Sequence, residues 1–87
     1  MKLIFAIVRD SDSDAVTQGL TSANFRVTRV ASTGGLLRRG MTTLLIGVDA
    51  DQVEAAIQVL HKTCTPPAEG EKRATLFVVP VDRFEQI

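Results

Sequence analysis

Six consecutive apolar residues, Leu3-Ile4-Phe5-Ala6-Ile7-Val8, constrain this chain more than anything else in it. The run is rich in β-branched residues and bounded by Arg9-Asp10-Ser11. It reads as a strand buried on both faces, with Leu3, Phe5 and Ile7 on one side and Ile4, Ala6 and Val8 on the other. The last apolar run, Ala74 to Val79, repeats the arrangement, opposing Leu76 and Val78 to Phe77 and Val79. A sheet built on these two strands has two apolar sides, and both need cover.

The sequence between them covers one side. Ser11-Asp12-Ser13-Asp14 offers N-cap candidates and acids for the positive end of a helix dipole. Val16, Leu20 and Ala23 follow at i, i+4 and i+7, the stripe of an amphipathic helix, and Asn24 stands where a left-handed stop is wanted. Phe25 to Ala31 alternates Arg26, Thr28 and Val30 against Val27, Arg29 and Ala31, a second and more exposed strand. Ser32-Thr33-Gly34-Gly35 is turn chemistry opening a short flexible loop over residues 32–40. Thr42 to Val48 is a third strand. Asp49-Ala50-Asp51 caps a second helix whose stripe is Val53, Ala56, Ile57 and Leu60. A loop over residues 63–73, containing Pro66-Pro67 and Gly70, leads to the last strand.

The order β-α-β-β-α-β over 87 residues describes one α+β domain spanning 1–87. Its plan is ferredoxin-like, with two helices on one face of a four-stranded antiparallel sheet. Two helices cannot cover both faces. Leaving even five aliphatic side chains wet forgoes several kcal/mol, at ~1.5–3 kcal/mol each. A chain this short also buries only about 60–65% of its unfolded surface. The second face therefore predicts an interface, and with it a homo-oligomer packed through the sheet.

Composition narrows the setting. An apolar fraction of 45% and a charged fraction of 23% are those of a globular protein. The single Cys excludes a disulfide framework and fits a reducing compartment. No apolar run approaches the ~18–20 residues of a membrane span. Met1-Lys2 followed by Leu3 to Val8 is too short for a signal peptide and has no cleavage site. A cytoplasmic protein is expected. Net charge is zero but unevenly spread: residues 24–40 hold Arg26, Arg29, Arg38 and Arg39 and no acid. All of that local excess is Arg, whose planar fork suits phosphate or carboxylate.

Arg26 and Thr28 alternate onto one strand face, placing a guanidinium beside a hydroxyl. Arg38 and Arg39 lie on the loop nearby, and Gly34-Gly35 admits close approach by backbone N–H groups. Together they form an anion cradle; the plainer reading is an edge strand kept soluble by Arg. Asp10, Asp12 and Asp14 resemble the start of a calcium loop, but Ala15 and Thr21 stand where that loop needs Gly and Glu, so a helix cap is the better reading. His61 and Cys64 are half a zinc site in a chain with no other His or Cys. Neither a metal nor a cofactor is expected. Base-stacking aromatics are missing from the third strand, which argues against an RNA-binding module and any nucleic-acid polymer as partner. An acyl-phosphate or phosphate-ester hydrolase would use Arg9, but Asp10, Asp12 and Asp14 would repel its substrate. The expected role is binding without catalysis, with a protein-interaction scaffold as the alternative.

With Asn24-Phe25-Arg26-Val27-Thr28-Arg29, Ser32-Thr33-Gly34-Gly35, Thr42-Thr43 and Ile46-Gly47-Val48, the chain resembles the cyclic di-AMP receptor family of P-II-like signalling proteins. Met1-Lys2-Leu3-Ile4 and Phe77-Val78-Val79-Pro80-Val81-Asp82-Arg83-Phe84 fit the same family. The resemblance implies a homotrimer of ferredoxin-like subunits, binding a cyclic dinucleotide between neighbours and signalling through loops to a downstream protein. Matching the family's ligand-contacting positions are Arg26, Thr28, Gly35, Leu37 and Gly47. Leu36 stands where the family commonly has Phe, and Met41 where it has Asn. The first change removes a stacking platform worth ~1–3 kcal/mol, the second a polar reader worth ~0.5–1.5 kcal/mol. The loop after the second helix is also shorter than in the family's receptors.

Overall fold

The computed structural model describes residues 1–30, 40–66 and 74–87. Strand β1 (Lys2–Arg9) leads into helix α1 (Asp10–Ser22), then strands β2 (Arg26–Val30) and β3 (Met41–Val48). A single 3-10 turn, Ala50–Gln52, precedes helix α2 (Val53–Thr63), and strand β4 (Ala74–Pro80) closes the sheet. Strand order is β2-β3-β1-β4, with every neighbouring pair antiparallel. The most apolar run in the sequence therefore takes a central position, where both of its edges are hydrogen-bonded. The βαββαβ order holds, with boundaries one residue wider than the sequence suggested in β1, β3 and β4.

Ile4, Ala6 and Val8 of β1 and Leu44 and Ile46 of β3 are fully buried against Val16 and Leu20 of α1 and Ala56 and Leu60 of α2. Both helices thus lie on the side of the even-numbered β1 residues. They can approach each other because Gly19 sits at their crossing: a Cβ there would meet Thr63 Cγ2 at 2.8 Å and Val59 Cγ1 at 3.2 Å. Thr63 is fixed in turn by donating its hydroxyl to the Val59 carbonyl at 2.7 Å. Leu3, Phe5 and Ile7, on the other side of β1, are only half-buried. A strand expected to be covered on both faces is covered on one within a single chain.

Asn24 ends α1 as its position suggested, with φ of 68°. The Phe25 N–H then bonds back to the Leu20 carbonyl at 2.9 Å, closing the turn into β2. The expected side-chain caps are not formed. Helix α1 begins earlier, at Asp10, with Arg9 in the flanking position, and neither it nor the turn before α2 has a side-chain cap. The acids of the first turn are used elsewhere. Asp10 accepts from the Thr42 hydroxyl and Asp14 faces Arg29, while Asp12 accepts from the Thr65 hydroxyl. Asp49 serves through its backbone, accepting from the Gln52 N–H at 2.9 Å.

Asp12 is 3% exposed, with Arg9 Nε 3.4 Å from its second carboxylate oxygen. Arg9 also donates from Nη2 to the Thr65 carbonyl at 2.6 Å, so three residues tie the start of α1 to the end of α2. Replacing Asp12 with Ala leaves the Arg9 Nε without its carboxylate and the Thr65 hydroxyl without its acceptor, while Arg9 keeps its bond to the Thr65 carbonyl. Because Arg9 keeps 28% of its side-chain surface in water, the expected loss is about 2 kcal/mol of folding stability, below the full cost of breaking a buried pair. Denaturant titration of Asp12→Ala measures it. An unchanged midpoint would show that Asp12 is only a dipole residue. No helix is long and apolar enough to cross a membrane among the described residues.

Candidate functional site

β2 is an edge strand with one partner, and its register decides what its side chains meet. Arg26 lies opposite Gly47, Thr28 opposite Leu45 and Val30 opposite Thr43. β1 continues the rows, with Leu3 opposite Gly47, Phe5 opposite Leu45 and Ile7 opposite Thr43. β4 adds Val79, Phe77 and Thr75. Residues paired across a ladder share a face. Since Ile4, Ala6 and Val8 point to the helices, these rows lie on the opposite, uncovered side.

Of the twelve residues in these rows none is acidic, and Arg26 alone is charged. Arg26 is exposed and, among the described residues, forms no hydrogen bond or ion pair. Arg29, one step out of phase, faces the helices. It donates to Asp14 Oδ1 at 2.8 Å and to Thr17 Oγ1 at 3.4 Å. Two arginines three residues apart on one strand thus differ: Arg29 is held by α1, and Arg26 has no partner among the described residues.

Gly47 is not required by the fold. It has no positive φ, and a Cβ added to it would meet only Met1 Cε, at 3.7 Å, an ordinary contact. Its missing side chain instead leaves bare backbone directly beside the Arg26 row. Around this spot lie the half-buried Leu3, Phe5 and Leu45, with Phe77 55% exposed beyond them. The arrangement offers an exposed cation, a hydroxyl at Thr28, a glycine overlain only by the Met1 methyl and an apolar floor. It suits an anion attached to a flat or apolar body.

Arg26, Thr28 and Gly47 are therefore brought together. Met41, the first residue of β3, lies opposite Arg9, six residues along the strand from Gly47 and so about 20 Å away. Gly35, Leu36 and Leu37, like Arg38 and Arg39, fall outside the described residues. Leu45, Phe5 and Leu3 were not singled out as ligand residues from sequence. Alternation along β1 and β3 is the signal that places them there, once the register is known.

The other sequence candidates lie apart from this face. Asp10, Asp12 and Asp14 diverge toward three different partners, and no group of three or more His, Cys, Asp or Glu could hold a metal among the described residues. His61 is in the last turn of α2, and the buried Cys64 follows it. Both line a small apolar cavity of about 70 Å³ between α2 and β4, together with Ile57, Leu60, Ala74 and Leu76. It opens on the helix side of the sheet. Arg83 pairs with Glu85 at the exposed end of the chain.

Comparison with known proteins gives two findings. The model of a family described as cyclic-di-AMP receptor matches residues 1–69. A crystal structure of a functionally unknown protein from Pediococcus pentosaceus ATCC 25745 is 32% identical, with a TM-score of 0.79. The alignment covers 99% of this chain and 96% of that one. Architecture and sequence agree over nearly the full length.

Proposed function

The chain belongs to the cyclic-di-AMP receptor family, and from that premise we propose that it is a P-II-like, non-catalytic signalling protein of the cytoplasm. Its ferredoxin-like subunits assemble as a homotrimer and hold cyclic di-AMP between neighbours. The observation that carries this reading is the row Arg26–Gly47–Leu3, in which a guanidinium without a partner among the described residues adjoins a glycine on a sheet face that is otherwise uncharged in these rows.

In this reading Arg26 grips a phosphate with its planar fork, and Thr28 donates its hydroxyl to the same group. Gly47 lets the ligand lie against the strand, and Leu3, Phe5 and Leu45 supply the apolar surroundings that strengthen the ion contact. The family resemblance adds Gly35, Leu36, Leu37 and Met41 as further ligand contacts; Met41, about 20 Å from Gly47 along β3, would meet a different part of the ligand from Arg26. A ligand-dependent change in the connection between β2 and β3 is relayed to a downstream protein. The apolar sheet faces of the subunits meet one another, which covers the side that the helices leave open.

Calorimetry of the purified protein with cyclic di-AMP, ATP and AMP tests the reading. The expected result is a saturable isotherm for cyclic di-AMP, with the mononucleotides weaker by at least about tenfold, as loss of the contacts to a second nucleoside implies. Three flat isotherms would overturn nucleotide sensing and leave a protein-interaction scaffold.

A further inference from the structure

Met1 shares the odd-numbered side of β1 with Leu3, Phe5 and Ile7. Its main chain is anchored, because its carbonyl accepts a hydrogen bond from the Val81 N–H at 3.1 Å. Its side chain is not confined: it is 57% exposed, and its methyl carbon lies over the backbone of Gly47, 3.7 Å from where a Cβ would stand. Gly47 in turn lies directly opposite Arg26. A long, unbranched, polarizable side chain on a fixed stem thus covers the bare patch next to the unpaired guanidinium. Nothing in the packing of the core asks for it there.

We infer that Met1 is a further ligand-contacting residue, whose thioether packs on a purine ring while Arg26 holds the attached phosphate. This rests on the nucleotide reading above and deepens it. A phosphate on Arg26 leaves the rest of the ligand to spread over the adjoining strands, spaced about 4.8 Å apart, and over Gly47 it meets the Met1 methyl beside Leu3. Thioether sulfur has a favourable contact with aromatic rings, and three rotatable bonds let it follow the ring as it seats. Leu3 and Val79, the other residues of the row, are aliphatic and carry no thioether.

The sequence contains two methionines, Met1 and Met41, so protein labelled with 13C at the methionine methyls shows two signals. Met41→Leu identifies the one that belongs to Met1. Titration with cyclic di-AMP, alongside calorimetry on the same sample, is expected to move the Met1 signal upfield through the ring current and to give a nuclear Overhauser contact to adenine protons. With a Gly placed before residue 1, Met1→Ala is expected to bind about 2- to 10-fold more weakly than the Gly-preceded native chain. Binding heat with no contact at the Met1 methyl would overturn the assignment of Met1 and leave the nucleotide reading intact. Absence of binding heat would overturn the nucleotide reading, and the role of Met1 with it.

Discussion

Arg26→Ala is expected to weaken cyclic di-AMP binding at least about 100-fold while leaving the unfolding transition in place. The size follows from what the side chain supplies. A bidentate guanidinium–phosphate contact comprises two charge-assisted hydrogen bonds, each worth about 1.5–3 kcal/mol, and tenfold in affinity is about 1.4 kcal/mol. The silence in stability follows from what it lacks. Arg26 is exposed, on an edge strand, and has no partner among the described residues, so its removal breaks nothing in the folded chain. A shift within about 0.5 kcal/mol is expected for such a surface position. Arg29→Ala is the internal control. It removes the exposed pair with Asp14, worth at most about 1 kcal/mol, and leaves the ligand isotherm unchanged because Arg29 faces the helices. Arg26→Lys should fall between, keeping the charge but losing the planar fork. Calorimetry and thermal melts on the three variants read both quantities. An isotherm for Arg26→Ala that overlays the native one would remove Arg26 from the site.

The contrast between these two arginines shows where sequence was legible and where it was not. Strict alternation in Arg26-Val27-Thr28-Arg29 was enough to put Arg26 and Thr28 on one face, because side-chain direction in a strand depends only on the parity of the position. Pairing Arg26 with Gly47 was not readable from alternation alone, since parity along a strand leaves the register between two strands open. The helices were legible from their apolar stripes and from Asn24, a residue whose short polar side chain tolerates the left-handed stop. Their starts were misread. Asp and Ser before an apolar stripe are cap candidates on local grounds, but Asp10 and Asp12 found tertiary partners in Thr42 and Thr65 that no local pattern announces, and Asp12 also pairs with Arg9 three residues before it. Met1 was hidden for a similar reason: only the folded sheet brings the first residue of the chain over the forty-seventh.

Leu45→Glu is expected to dissociate the proposed trimer to monomers at micromolar concentration and to abolish ligand binding with it. Leu45 stands on a central strand, flanked in its row by Phe5 and Thr28, in the middle of the uncovered face. Being half-buried rather than buried, it can be replaced without opening a cavity in the core, so the subunit should still fold. In an assembled sheet-to-sheet junction the same position is enclosed by apolar neighbours. A carboxylate there loses its water and finds no cation except Arg26, which lies one row away and is needed by the ligand. Desolvation of an unpaired charge costs several kcal/mol, repeated in every subunit of a symmetric assembly. Leu45→Ala gives the graded case, a milder loss of roughly 1–3 kcal/mol per subunit from apolar area alone. Sedimentation velocity distinguishes the species, and circular dichroism of Leu45→Glu checks that the monomer retains its secondary structure. Should the native chain itself sediment as a stable monomer, the apolar sheet face is not a subunit junction. Arg26 and Gly47 would then have to bind their ligand on an open surface, where water competes for every contact and the affinity would be correspondingly poor.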